Sequence, residues 1–117
     1  MKILFAAPDR DLLNAYKTLL TTVDDQVETA FDGPQVITGL AGQSWDLLIL
    51  SEDIPRAGSA RILEQCSSMN IPVILMTTDY SYTRKVAGGQ PQPREYISLP
   101  FTPGELEAAI ARAGERL

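Results

Sequence analysis

The sequence contains no histidine and only one cysteine, Cys66. Without histidine, Ser-His-Asp and Cys-His catalysis are excluded, together with most zinc sites. A single cysteine cannot form an intramolecular disulfide, so a reducing compartment is favoured and we expect a cytoplasmic location. Because Cys66 lies within a predicted helix, we interpret it as a small core side chain rather than a nucleophile.

The chain also has little positive charge and no long apolar run. Its 10 basic and 15 acidic residues give a net charge of −5, which offers no electrostatic attraction for nucleic acid or an anionic membrane surface. No apolar stretch is long enough to span a bilayer. The segment Ala7-Pro8-Asp9-Arg10 after the first predicted strand is neither a G-x-G-x-x-G loop nor a P-loop. We therefore predict no nucleic-acid or membrane binding, no cofactor, no metal and no enzymatic activity.

The 117 residues favour one domain, spanning 1–117, in which predicted strands alternate with helices. The strands are predicted at residues 2–7, 26–30, 46–51, 71–76 and 95–98. This alternation predicts an α/β fold with a doubly wound, five-stranded parallel sheet. A fourth helix is due within residues 79–94, but Gly88, Gly89, Pro91 and Pro93 fall there. We therefore predict a shortened or irregular fourth helix near residues 82–87, followed by a loop.

Several helix starts carry capping residues. Asp9 and Asp11 are alternative caps for the first helix. Asp32-Gly33-Pro34 predicts a turn and the start of the second helix, with the proline in its first turn. A third helix is expected from about residue 59 to 69. Thr102-Pro103-Gly104-Glu105 has the pattern of a capping box at the start of the last helix.

Four consecutive aliphatic residues at 47–50 predict a strand buried on both faces, which is typical of the centre of a parallel sheet. Polar residues and Pro55 follow, so the strand is expected to end near Ser51. Ligands of open parallel sheets bind beyond the carboxyl ends of the strands. Ser51 is therefore the residue expected at the centre of any functional site.

Taken in order, these segments resemble the receiver domain of two-component response regulators over essentially the whole chain. The matching segments are Lys2–Ala6, Asp46–Leu50 with Pro55 after it, Ile71–Thr77, and Tyr96–Phe101. The resemblance implies a flavodoxin-like, three-layer fold and a role in bacterial signal transduction or transcription regulation. It also implies that Thr77 and Tyr96 occupy the positions of the family's switch residues.

The residues of the family's phosphorylation site are replaced in this sequence. The resemblance places Ala7 and Pro8 at the acidic pair, Ser51 at the phosphoacceptor aspartate and Leu99 at the lysine. Mg²⁺ prefers oxygen ligands, and Ala7 and Pro8 have none on their side chains. Once the carboxylates are gone, an ammonium group would lack its partners, so Leu99 is the expected occupant. The sequence thus predicts a pseudo-receiver with no catalytic residue, no metal and no cofactor.

Three alternatives at this site remain open. The first is that a neighbouring acid replaces the missing aspartate. Strand alternation points Glu52 away from the direction of Ser51, and Asp53 lies two residues beyond Ser51, roughly 6–7 Å further along. Asp9 and Asp53 would form at most a weak cation site, and a helix cap and a solvated loop acid are the favoured interpretation. Phosphorylation of Ser51 by a separate kinase is the third alternative, and a hydroxyl bonded to the backbone is the favoured interpretation.

The resemblance implies a partner or homodimer face built from the family's fourth helix, fifth strand and fifth helix. Tyr80, Tyr82 and Tyr96 are the candidate contact residues on this face, within residues 80–112. The expected partner is another protein or an attached output domain, and the chain is either free-standing or cut from a longer protein. The alternative function is a small-ligand sensor that uses the emptied pocket at Ala7, Pro8, Ser51, Thr77 and Leu99.

Overall fold

The structure is a computed structural model that describes residues 1–20, 25–56, 59–77, 95–98 and 101–115. Its strands are β1 (Lys2–Ala6), β2 (Gln26–Ala30), β3 (Leu47–Ser51), β4 (Val73–Thr77) and β5 (Glu95–Ser98). Its helices are α1 (Arg10–Leu20), α2 (Gly33–Gly42), α3 (Ser59–Met69) and α4, the last helix (Pro103–Glu115). None of the helices within these ranges is long and apolar enough to cross a membrane.

The five strands form one parallel sheet in the order β2-β1-β3-β4-β5. This is the flavodoxin-like order predicted from the sequence. The chain leaves β1 for one side of the sheet and β3 for the other, so the carboxyl ends of these two strands flank the topological switch point. Ser51 is the last residue of β3 and pairs with Met76 of β4, whereas Ala7 directly follows β1.

The core lies on both sides of the sheet because every residue of β3 is buried. Leu47 and Ile49 belong to one apolar cluster, which they share with buried residues of α1 and α4. Leu48 and Leu50 belong to the other cluster, together with buried residues of α2 and α3. The uninterrupted aliphatic run therefore follows from burial on both faces, and the three-layer architecture is confirmed.

Side-chain caps hold the helix starts in the predicted places. Asp9 is the cap of α1, since its Oδ1 accepts hydrogen bonds from the Asp11 and Leu12 amides at 3.0 and 3.2 Å. Asp32 Oδ1 accepts from the Gln35 amide at 2.9 Å at the start of α2. The Thr102 hydroxyl oxygen accepts from the Glu105 amide at 3.1 Å, so the last helix begins where the capping box predicts.

Four strand boundaries differ from the sequence prediction. β3 begins at Leu47 rather than residue 46, and β4 ends at Thr77 rather than residue 76. β4 begins at Val73, two residues later than expected, because Pro72 has no amide hydrogen to donate to a neighbouring strand. β1 ends at Ala6 rather than Ala7. The predicted irregular fourth helix, within residues 79–94, lies outside the described residues. The description resumes at Glu95, where β5 begins.

Candidate functional site

The candidate site lies at the carboxyl edge of the sheet, where β1, β3 and β4 end next to one another. The described residues at these three ends are Ala7, Ser51 and Thr77. All three are buried, with exposed fractions of 1%, 4% and 0%. Pro8, beside Ala7, is exposed, and Leu99 lies outside the described residues.

Ser51 closes a tight turn at the end of β3. Its hydroxyl oxygen accepts a hydrogen bond from the Asp53 amide at 3.2 Å, and its carbonyl accepts one from the Ile54 amide at 3.2 Å. The contact agrees with the interpretation of Ser51 as a hydroxyl bonded to the backbone. Because its side chain is buried, a kinase would have to open this turn before it could reach the hydroxyl.

The loop after Ser51 is tied to the start of α2. The Gly33 amide donates to the Pro55 carbonyl at 2.7 Å, and Arg56 Nη1 lies 3.6 Å from Asp32 Oδ2. Arg56 has a φ of 74°, a left-handed conformation that costs energy for a residue with a β carbon. These contacts hold Pro55 and Arg56 against the start of α2, in the loop that follows the turn at Ser51.

The β1 end carries a backbone contact and a helix cap. The Ala7 amide donates to the Ala30 carbonyl at 3.0 Å, which ties the residue after β1 to the end of β2. The Asp9 carboxylate caps α1 through the two bonds described above. Among the described residues, no three acidic or cysteine side chains come together in a group that could hold a metal ion. The two bonds to the Asp9 carboxylate agree with the favoured interpretation of Asp9 as a helix cap, and a weak cation site shared with Asp53 stays the less favoured alternative.

The β4 end contains a contact that the sequence analysis missed. The Thr77 hydroxyl donates a hydrogen bond to Glu52 Oε2 at 2.7 Å. Strand alternation explains the meeting, because Glu52 follows Leu48 and Leu50, and Thr77 follows Val73 and Leu75, whose side chains share one face of the sheet. The same alternation that turns Glu52 away from Ser51 therefore turns it towards Thr77. This alternation, visible in the sequence, could have predicted the contact.

Of the residues predicted for the partner face, Tyr96 is the one that the structure describes. Its partly buried side chain packs against the apolar cluster on the α2 and α3 side, the face that also carries Thr77. Tyr80 and Tyr82 lie outside the described residues. Their proposed role in partner binding stays a prediction.

Cys66 plays the core role expected of it. It is 1% exposed in α3, and burial raises the pKa of its thiol to about 12. A thiol with so high a pKa stays protonated at neutral pH and is a poor nucleophile.

Two curated relatives match almost the whole chain. The response regulator protein PmrA of Pseudomonas aeruginosa is 30% identical over 112 residues, covering 94% of this chain and 51% of that protein. The transcriptional regulatory protein CpxR of Klebsiella pneumoniae is 33% identical over 110 residues, covering 93% and 47%. The chain thus spans about half the length of these curated relatives. No protein-family model matches the chain.

Solved structures match the fold closely. A two-component response regulator from Clostridium difficile superposes with a TM-score of 0.86 at 17% identity, covering 99% of this chain and 97% of that one. The chemotaxis response regulator CheY4 of Vibrio cholerae superposes with a TM-score of 0.80 at 18% identity, covering 96% and 97%. At these identities the superpositions establish the fold, and the sequence matches connect it to response regulators.

Proposed function

Because the chain is a receiver domain related to those of two-component response regulators, we propose that it signals without being phosphorylated. It is a protein-interaction module whose partner is another protein or an attached output domain. The observation that carries this proposal is the set of residues at the carboxyl edge of the sheet. Ala7 and Pro8 follow β1, and Ser51 ends β3.

The chemistry of phosphoryl transfer explains why these residues support the proposal. Transfer to a carboxylate requires a divalent cation that neutralises the charge developing on the phosphoryl oxygens. Mg²⁺ takes oxygen ligands, and neither Ala7 nor Pro8 has a side-chain oxygen. Ser51 offers a buried hydroxyl that is hydrogen bonded to the Asp53 amide, in place of an accessible carboxylate.

The partner surface is proposed at the β5 edge of the sheet, together with the last helix, α4, and the segment around Tyr80 and Tyr82. Tyr96 lies on β5, and an aromatic ring with a polar hydroxyl suits a protein contact. The same surface is our candidate for a homodimer contact. The curated relatives are regulators about twice as long as this chain, which favours an output domain as the partner. The proposed location is the cytoplasm, which the single cysteine favours.

The alternative of a small-ligand sensor is not favoured. Its pocket would be floored by Ala7 and Ser51, which are 1% and 4% exposed. Thr77 is 0% exposed and faces the other side of the sheet together with Glu52, so it does not line the same depression as Ser51. A ligand at this place would have to displace the turn that Ser51 closes.

The test is an amide NMR spectrum recorded with Mg²⁺ before and after addition of beryllofluoride, which mimics an acyl phosphate. We expect the resonances of Ser51, Thr77 and Tyr96 to stay where they are. A matched control restores the family's residues with the changes Ala7→Asp, Pro8→Asp, Ser51→Asp and Leu99→Lys, and it is expected to regain a response if it folds.

A concerted shift of these three resonances in the unaltered chain would overturn the proposal, because a neighbouring acid would then be accepting the phosphoryl mimic. The same beryllofluoride addition to the Asp53→Asn variant would show whether Asp53 is that acid, because the shift would then disappear. Detection of an acyl phosphate after incubation with acetyl phosphate would overturn the proposal as well.

A further inference from the structure

The contact between Glu52 and Thr77 joins a charged group to a buried hydroxyl. Thr77 is 0% exposed, Glu52 is partly buried, and the two oxygen atoms lie 2.7 Å apart. A carboxylate can only accept hydrogen bonds, so the hydroxyl proton of Thr77 points at Glu52. Hydrogen bonds to an ionised group are shorter and roughly twice as strong as those between neutral groups.

We infer that Glu52 is a positioning residue for Thr77, whose hydroxyl it holds in one orientation without any bound anion. A hydroxyl has one proton to donate, and in this structure it is donated to a carboxylate of the same domain. An anion arriving at the strand ends would have to compete with this carboxylate for the proton and would be repelled by its negative charge. Glu52 therefore accepts the hydrogen bond from Thr77 that an external anion would otherwise accept, and it orients the hydroxyl in the same way.

The backbone around the pair is arranged to keep the two side chains together. The Glu52 amide donates to the Met76 carbonyl at 3.0 Å, which extends the pairing of β3 and β4 one residue beyond Ser51. Thr77 in turn pairs with Ser98 at the end of β5. The side-chain contact joins the ends of β3 and β4, and the strand pairing joins β4 to β5. Tyr96 lies on β5, two residues before Ser98.

The expected consequence is that the contact between Glu52 and Thr77 holds the ends of β3 and β4 in one arrangement. A switch requires an element with two arrangements that a ligand can bias. Because Glu52 already holds the Thr77 hydroxyl in one orientation, an anionic ligand has no second orientation of that hydroxyl to stabilise. A partner that docks beside Tyr96 would then meet the same surface at all times. This inference goes beyond the proposed function, since Glu52 can hold Thr77 whether or not another residue accepts a phosphoryl group.

The experiment combines NMR of the hydroxyl proton with a double-mutant cycle. In the unaltered chain at low temperature, we expect a slowly exchanging Thr77 hydroxyl proton with a separate resonance. Glu52→Ala should abolish the resonance, Glu52→Gln should retain it at a shifted frequency because an acceptor oxygen remains, and Thr77→Ser should keep it. None of these spectra requires Mg²⁺ or a phosphoryl mimic, so they are independent of the test for phosphorylation.

The cycle uses amide hydrogen exchange at Glu52 and Ser98, with Val27 in β2 as an internal reference. Glu52→Ala and Thr77→Val should each raise the local opening equilibrium about tenfold or more. The double variant should be no worse than the worse single variant, because both changes remove the same bond. Val27 should be unaffected in every variant, which identifies the change as local rather than global.

Two results would overturn the inference. One is a Thr77 hydroxyl resonance that is the same in Glu52→Ala as in the unaltered chain. The other is a double variant whose effect equals the product of the two single effects, since independent effects would mean that Glu52 does not act through Thr77. If Glu52→Ala fails to fold, the shift of the hydroxyl resonance in Glu52→Gln decides the question, because that variant keeps the volume and one acceptor oxygen.

Discussion

The two halves of the carboxyl edge of this sheet are built differently. In the β1–β3 half, Ala7 and Ser51 are buried and are held by bonds to nearby backbone groups. In the β3–β4 half, a carboxylate from Glu52 binds the buried hydroxyl of Thr77. The side chains at the strand ends of the first half, Ala7 and Ser51, carry no charge, and we call this the neutral half. The second half has a charged and polar side-chain pair, and we call this the polar half. Adjacent parts of one sheet edge can therefore be held by different kinds of contact.

The largest effect is expected when a carboxylate is placed in the neutral half. Ser51→Asp would bury a charge next to Glu52 and Asp53 with no cation to neutralise it, and we expect a loss of about 2 kcal/mol or more in the free energy of unfolding. Urea denaturation followed by circular dichroism measures this loss. The matched control Ser51→Ala removes one hydrogen bond and should cost about 1 kcal/mol.

Ser51→Asp alone should also fail to respond to Mg²⁺ with beryllofluoride. A stable complex in this single variant would show that the neutral half still binds the cation, and the contrast between the two halves would then disappear.

The next effect concerns the polar half. Thr77→Val keeps the shape of the side chain but leaves the Glu52 carboxylate without the hydroxyl, so the free energy of unfolding should fall by about 1–3 kcal/mol. Thr77→Ser retains the hydroxyl and should be less destabilising. The same urea measurement applies to both. A Thr77→Val variant as stable as the unaltered chain would mean that the hydrogen bond contributes nothing to stability.

A third prediction concerns pH and uses Cys66 in α3, away from both halves. Burial raises the pKa of its thiol from 9.0 to about 12, so above pH 9 the unfolded chain loses a proton that the folded chain retains. Stability should therefore be unaffected by this thiol below pH 9 and should fall above it, by up to about 1.4 kcal/mol per pH unit.

The pH slope is measured as the difference between the unaltered chain and Cys66→Ala, which cancels the titration of tyrosine and lysine residues. The difference in the free energy of unfolding should change between pH 8 and pH 11, a range that begins below the ordinary thiol pKa of 9.0. A constant difference across this range would show that the thiol titrates equally in both states.

The smallest effect is expected in the loop that follows Ser51. Arg56 has a φ of 74°, its side chain is 73% exposed and its ion pair with Asp32 spans 3.6 Å, so the pair contributes little. Arg56→Gly should leave the free energy of unfolding unchanged or raise it by up to about 1 kcal/mol, because glycine adopts this φ without strain. Arg56→Ala removes the ion pair but keeps the β carbon, so it should be less stable than Arg56→Gly.

The sequence was informative wherever a pattern depends on local chemistry. The uninterrupted aliphatic residues of β3 required burial on both faces, and the Thr102 capping box marked the start of the last helix. The end of β3 at Ser51 could also be predicted, since polar residues and Pro55 follow the apolar run, whereas the end of β1 was predicted one residue too late, at Ala7. The sequence could not decide whether Asp9 or Asp11 caps α1, because both residues have suitable side chains and they lie two positions apart.

What the amino-acid sequence determined by itself was the order of strands and helices, the layered fold and the chemical character of the strand ends. These depend on periodicity, capping and residue type, which are properties of short segments. The meeting of Glu52 with Thr77 was decided by the tertiary structure, because residues 25 positions apart come together only when β3 and β4 pair in one register. The burial of Ser51 was decided there too, since it depends on the turn at Asp53 and on the strands on either side of β3.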